Sequence, residues 1–219
     1  MSLIIAIDGP SASGKSTVSR RVAQRLGFIH VDSGSLYRGV TWHFIENGVD
    51  AGNVEAVADA LQKMRLEFFT RENSVRFSIE GRKPDEELRS RPVNEMVSTV
   101  AALPAVRAWV VSKLRKMPDL GNLVMEGRDI GTAVFPETKF KFYLDAAPEE
   151  RARRRHLEML NAGKKVDYDE ILRSILKRDR IDTARASDPL KIAPDAVVIQ
   201  STDMTIDEVV DLIAGKIKY

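Results

Sequence analysis

The chain has no cysteine among its 219 residues, which excludes disulfides and thiolate metal sites and makes a reducing compartment, the cytoplasm, its simplest home. Its three histidines, His30, His43 and His156, have no metal-ligand spacing. Excess charge is also lacking. A net charge of +2, despite a pI of 8.8, argues against a bulk nucleic-acid binder, as does the absence of a basic stripe with interleaved aromatics. No apolar run approaches membrane-spanning length, and the first ends at Asp8 without a basic leader or cleavage site, so neither anchor nor signal peptide is expected. What is present, 43% hydrophobic residues in a chain of single-domain length, is enough for one sizeable core.

The pattern along the chain alternates strand and helix. Leu3 to Ile7 is short, apolar and rich in isoleucine, with a Gly/Pro/Ser loop after it, as a buried strand requires. Four more core strands are predicted at Phe28–Val31, Asn122–Asp129, Lys139–Ala146 and Ala196–Thr202, separated by helical stretches. This is an α/β arrangement, a five-stranded parallel sheet with helices on both faces. One region departs from it. Leu66 to Gly81 alternates apolar and polar residues around Glu72-Asn73, which reads as a hairpin in an insertion.

The loop after the first strand, Gly9-Pro10-Ser11-Ala12-Ser13-Gly14-Lys15-Ser16, fits G-x-x-x-x-G-K-[ST] and leads through Thr17 into a helix. Backbone N–H groups at such a helix start point at an anion, and the helix dipole favours it. Lys15 adds a mobile charge for the β/γ-phosphates, and Ser16 can ligate Mg²⁺. The strand–loop–helix context favours nucleoside triphosphate binding over a chance small-residue turn.

Further polar segments stand where they can face this loop. Asp32 to Arg38 follows the second strand, at the carboxyl edge where open α/β sheets bind ligands. Arg38 there either forks onto a phosphate or lies on the surface of an N-capped helix. Glu126-Gly127-Arg128-Asp129 closes the third core strand. Either its carboxylate orients metal-bound water while Arg128 grips phosphate, or the segment is a turn with an internal ion pair. Arg151, Arg154 and Arg155 share one helical face by their spacing, a concentration of like charge that a transferring phosphoryl group rewards and that a solvated face also allows. In the next helix Ile171, Ile175, Arg178, Asp182 and Arg185 form one row, placing polar groups in a cleft or in internal pairs.

In this order, the stretches IDGPSASGKST, VDSGSLYRG, VSTVAALPAVR, EGRDIGTAVFP, the FYLDA-x-x-EERARRR run, KRDRIDTARASDPL and DAVVIQST closely resemble the bacterial cytidylate kinases, of the nucleoside monophosphate kinase group of P-loop kinases. The resemblance spans nearly the whole chain. It implies a single domain over residues 1–219, with a monophosphate-binding insert near 66–104 and a lid near 148–166. It implies MgATP as donor and CMP or dCMP as acceptor, in pyrimidine nucleotide metabolism. By this resemblance Ser33, Arg107, Asp129 and Arg185 read the base, Ser98, Arg178 and Asp182 contact the sugar, and Tyr37, Arg38 and Arg128 hold the acceptor phosphate. Lys15, Arg128 and the lid residues Arg151, Arg154 and Arg155 serve the transfer. Small-molecule nucleotides are the implied partners of a monomer, with neither nucleic acid nor membrane.

The base set also makes chemical sense. Cytosine shows an amino donor beside the acceptors N3 and O2, and an ionised Asp129 flanked by two arginines matches it, whereas uracil would set O4 against the carboxylate. The chain departs from the usual pattern at Ala12, where glycine is common, and at Asp188, where a small apolar residue is usual. Asp188 either pairs with a lid arginine or faces water. Two other readings stay open: a related kinase for UMP, AMP or a small acid, and a nucleic-acid-binding ATPase using Arg151 to Arg155. A GTPase is disfavoured because no N-K-x-D motif is present.

Overall fold

The computed structural model describes residues 2–218, and all five core strands fall where the apolar runs place them. These are β1 (Ile4–Asp8), β2 (Ile29–Asp32), β5 (Leu123–Gly127), β6 (Phe140–Asp145) and β7 (Val197–Gln200), with β3 (Leu66–Arg71) and β4 (Ser74–Ile79) forming the hairpin. The five are mutually parallel in the order β2-β5-β1-β6-β7. The sheet nonetheless has seven strands, which corrects the expected five. Strand β4 runs parallel to β2 at the register His30↔Ser74, and the His30 N–H donates to the Asn73 carbonyl at 2.7 Å. The open edge of β2 therefore finds main-chain partners in the hairpin, and the hairpin finds a sheet to extend. Glu72 and Asn73 make its turn with φ of 51° and 54°, two left-handed residues as a tight hairpin turn requires.

Helices cover both faces. Helix α1 (Lys15–Leu26) and the C-terminal helix α8 (Ile206–Lys216) pack together on one face through Val18, Val22, Val209, Val210 and Ile213. On the other lie α2 (Ser33–Glu46), α3 (Val54–Lys63), α4 (Arg91–Ala102) and α5 (Pro104–Leu114), sharing a larger core that includes Phe77 and Ile79 of the hairpin. Prolines at 92 and 104 stand in the first turns of α4 and α5, where a missing N–H costs nothing. Helices α6 (Pro148–Asn161) and α7 (Tyr168–Ala184) pair through Ala152, Ile171 and Ile175, with Ala12 of the phosphate loop against them. No single helix among the described residues is long and apolar enough to cross a membrane. The segment 91–120 passes such a test only as a pair bent by 92°, and the apolar side chains of α4 and α5 are core.

β1, β2 and β5 thus end side by side, and the loops leaving them meet at one carboxyl edge. The first loop depends on Gly9, whose φ of 155° and approach to the Leu144 carbonyl, 2.2 Å from where a Cβ would stand, leave no room for a side chain. Gly9→Ala is expected to cost about 2 kcal/mol, lowering the melting temperature by about 4 to 8 °C. An unchanged melting curve would show that the loop can move aside.

Candidate active site

The phosphate loop is braced from two sides. Asp8, the last residue of β1, accepts hydrogen bonds from the Ile130 and Gly131 N–H groups, each at 2.8 Å. It is nearly inaccessible, and burial raises its pKa to about 6 against the pull of those two bonds. On the other side Asp179 of α7 accepts from the Ser11 N–H at 3.3 Å and from Arg151 Nη1 at 2.6 Å. Arg151 also donates to the carbonyls of Ser11 and Ala146, at 2.9 Å each. Only 3% exposed, Arg151 is a strut between α6, α7 and the loop.

Lys15 is held by the loop itself, its Nζ donating to the Pro10 carbonyl at 2.8 Å. Burial and the neighbouring Arg128 lower its pKa to about 7. The Ser16 hydroxyl donates to Glu126 Oε2 at 2.6 Å, and Glu126 Oε1 lies 3.1 Å from His30 Nε2. Two hard oxygen donors beside a phosphate loop suit Mg²⁺, which takes few protein ligands and completes its shell with water and phosphate. Among the described residues no group of three His, Cys, Asp or Glu could form an all-protein metal cage.

Of the remaining loop residues, Ser13 is buried with an unpartnered hydroxyl, and the α1 dipole starts behind the left-handed Gly14. Arg154 Nη1 lies 3.9 Å from where a Cβ on Gly14 would stand. Arg154 also reaches Glu150 and the Ser201 and Thr202 carbonyls, so it borders the loop from α6. Arg155 pairs with Glu158 nearby.

Two clusters of charge face this loop. In the first, Asp129 lies between Arg107 Nη2, which donates to its Oδ2, and Arg185 Nη2, which approaches its Oδ1 at 3.4 Å. All three are buried, and burial raises the Asp129 pKa while the two guanidinium groups oppose the rise. Tyr37 belongs here: the Arg107 guanidinium stands 5.5 Å from its ring centroid, and its hydroxyl is buried without a partner. The Ser33 hydroxyl donates to the Glu126 carbonyl at 2.7 Å, pinning α2 to the end of β5. Asp32 caps α2 by accepting from the Ser35 N–H at 3.0 Å.

The second cluster is cationic. Arg128 donates to Asp182 at 2.9 Å, and Arg38 to the Leu88 carbonyl and Asn94 at 3.0 and 2.8 Å. Arg178 is different: its Nε is buried without a partner, and it forms no ion pair among the described residues. Burial, then the charges of Arg128 and Arg155, lower its pKa, and Arg178 in turn helps lower that of Arg38. Guanidinium groups gathered this closely, one of them unpaired, form a site for a dianion. Ser98 is buried on α4, the helix that packs against α7.

The cytidylate kinase family model matches residues 5–219. The chain belongs to the cytidylate kinase family. A cytidylate kinase from Carboxydothermus hydrogenoformans is 42% identical over 206 residues, 94% of this chain and 93% of that one. Another, from Caldanaerobacter subterraneus subsp. tengcongensis, is 40% identical over 214 residues, 98% of this chain and 94% of that one. An uncharacterized protein of known structure from Eubacterium ventriosum shares the fold, with a TM-score of 0.51, 14% identity, and coverage of 98% of this chain and 97% of that one. The chain is therefore an enzyme, a nucleoside monophosphate kinase.

Within this cytidylate kinase family fold, two carboxylates that organise the site escape a reading of single motifs, Asp8 and Asp179, while Glu126 and Asp188 stand out in the sequence without their partners. Asp8 ends an apolar strand and Glu126 ends another, a position that is itself a signal. Asp179 carries no such mark, and Asp188, expected to pair with a lid arginine or to face water, instead accepts from Arg107 of α5. The lowered pKa of Lys15 has a measurable consequence. A phosphate chain brought to the loop restores the charged amine, so binding takes up a proton above pH 7. ATP, whose phosphates are already ionised at pH 8, titrated calorimetrically at that pH in buffers of different ionisation heat, is expected to show uptake approaching one proton. Affinity should weaken from pH 7 to 9. Zero uptake at pH 8 would contradict the placement of Lys15.

Proposed function

We propose that the enzyme transfers the γ-phosphoryl group of MgATP to CMP or dCMP, giving ADP and CDP or dCDP. The observation that carries this reading is the buried Asp129 between Arg107 and Arg185. The carboxylate offers an acceptor to the cytosine amino group, and the arginines offer donors to N3 and O2. Uracil would place O4 against Asp129, leaving two acceptors facing each other in a dry pocket. Such a mismatch discriminates by orders of magnitude. Tyr37, assigned by the resemblance to the acceptor phosphate, instead forms the floor under Arg107, Ser33 supports the pocket wall, and Ser98 with Asp182 lines the sugar side.

Arg38 and Arg128 receive the acceptor phosphate, joined by Arg178, which the resemblance assigns to the sugar but whose charge is felt by Arg38 and which feels that of Arg128, while the loop from Gly9 to Thr17 and Lys15 hold the donor phosphates. Mg²⁺, held through Ser16 and oriented by Glu126, supplies charge neutralisation on the donor oxygens when bound. The chain's own residues do the remainder: they align the two phosphates, neutralise charge with Lys15, Arg128 and Arg154, and exclude water as α6 and α7 close. No general base is required, because a monophosphate oxygen is already ionised. Residues 66–104 as the acceptor-side insert, 148–166 as the lid, a monomeric state, a cytoplasmic location, and partners limited to small nucleotides complete the proposal.

A coupled assay of ADP release tests it across CMP, dCMP, UMP and AMP. CMP and dCMP are expected to lead UMP and AMP by about a hundredfold or more in kcat/KM, as polar mismatch in a buried site implies. Equal kcat/KM for CMP and UMP would overturn the base reading. Arg178→Ala should lower kcat/KM for CMP by about a hundredfold, the loss of a charge-assisted contact. A value within twofold of wild type would remove Arg178 from the site.

A further inference from the structure

Behind the base pocket stands Asp188, whose carboxylate accepts from Arg107 Nε at 2.9 Å. Its main-chain carbonyl accepts from Arg185 Nε at 2.9 Å and Arg185 Nη2 at 2.5 Å. One residue thus holds both of the arginines that flank Asp129, one through its side chain and the other through its backbone. The backbone is unusual in a way that serves this. Asp188 has a φ of 45°, in the left-handed region, and directly precedes Pro189, a position that disfavours helical conformations. Strain of this kind persists only where surrounding contacts enforce it. Here the Leu190 N–H donates to the Asp182 carbonyl at 2.7 Å, tying the bend back onto α7.

Charge balance adds a second argument. Arg107 and Arg185 are buried cations set against the buried Asp129 and the Asp188 carboxylate, whose side chain is 39% exposed and closes the cluster from the solvent side, with Asp182 Oδ1 4.0 Å from Arg185 Nη1. Arg107 is only 1% exposed, and its remaining nitrogen reaches no closer than 3.4 Å to the Ala101 carbonyl. With Nε on Asp188 and Nη2 on Asp129, the guanidinium plane has no freedom to turn. Asp129 is therefore presented to the base in one orientation, as an acceptor in a pocket without excess positive charge.

We infer that Asp188 is a specificity-determining positioning residue, which locks Arg107 and Arg185 around Asp129 and keeps the pocket neutral so that cytosine's amino donor is favoured over uracil's O4 acceptor. This rests on the assignment of Arg107, Asp129 and Arg185 to the base. Removing the Asp188 carboxylate frees the Arg107 plane and leaves one uncompensated positive charge. The pocket then loses hold of the amino group and becomes more tolerant of O4.

Steady-state kinetics with CMP and UMP in wild type, Asp188→Gly and Asp188→Asn test this. Glycine removes the carboxylate while accepting the left-handed backbone, so the carbonyl that holds Arg185 stays in place. Asparagine also tolerates that backbone and keeps an oxygen for Arg107 without the charge. In Asp188→Gly the ratio of kcat/KM for CMP over UMP is expected to fall at least tenfold. KM for CMP should carry most of the change, and KM for the donor should stay within twofold. Asp188→Asn should lie between glycine and wild type. A glycine variant whose CMP-to-UMP ratio stays within twofold of wild type, whatever its melting temperature, would overturn the proposal and leave Asp188 a purely structural tie. A wild-type enzyme that phosphorylates UMP as well as CMP would instead overturn the base pocket itself.

Discussion

The carboxylate of Asp8 is the contact on which the rest of the site depends. It ends β1, one residue before the phosphate loop, and accepts the N–H groups of Ile130 and Gly131, directly after Asp129. The phosphate loop and the segment that carries Asp129 are therefore joined through one buried side chain. Burial pushes its pKa up to about 6, so at neutral pH it is ionised and acts as a strong double acceptor. Parallel pairing of β1 with β5, at Asp8↔Gly127, brings the two loops to the same edge, and Asp8 sets their spacing.

Around that clamp the arginines divide by whether the protein satisfies them. Arg107, Arg128, Arg151 and Arg185 are each held by a carboxylate or carbonyl, which orients them and offsets the cost of burying charge. Arg178 is left without a hydrogen-bond partner, and its charged neighbours are Arg128 and Arg155 together with Asp182 and Asp179. The paired arginines are fixed in orientation, while Arg178 keeps a buried donor unmatched.

The sequence carried much of this in local form. The phosphate loop is contiguous, so its strand, glycines and lysine are visible together, and the inward row of α7 is visible because Arg178, Asp182 and Arg185 repeat at helical spacing. The hairpin was visible in its alternation and in Glu72-Asn73. Its union with β2 was not, since main-chain pairing at an edge leaves no side-chain period. Distance along the chain hides the partners of Asp179 and Asp188, since Ser11 and Arg107 lie far away in sequence. Helical spacing grouped Arg151 with Arg154 and Arg155, yet the structure gives Arg151 to the phosphate loop and α7. A periodicity reports which side of a helix a residue occupies, not which neighbour consumes its hydrogen bonds.

Asp8→Asn tests the account most directly. The amide keeps size and one oxygen, but turns a donor toward one of two N–H groups that need an acceptor. Steady-state kinetics with donor and CMP varied in turn, beside a circular dichroism spectrum, should show an intact fold and a KM raised severalfold for both substrates. A folded variant in which only one KM moves, or neither does, would contradict the claim that a single buried carboxylate holds the two halves of the site in register.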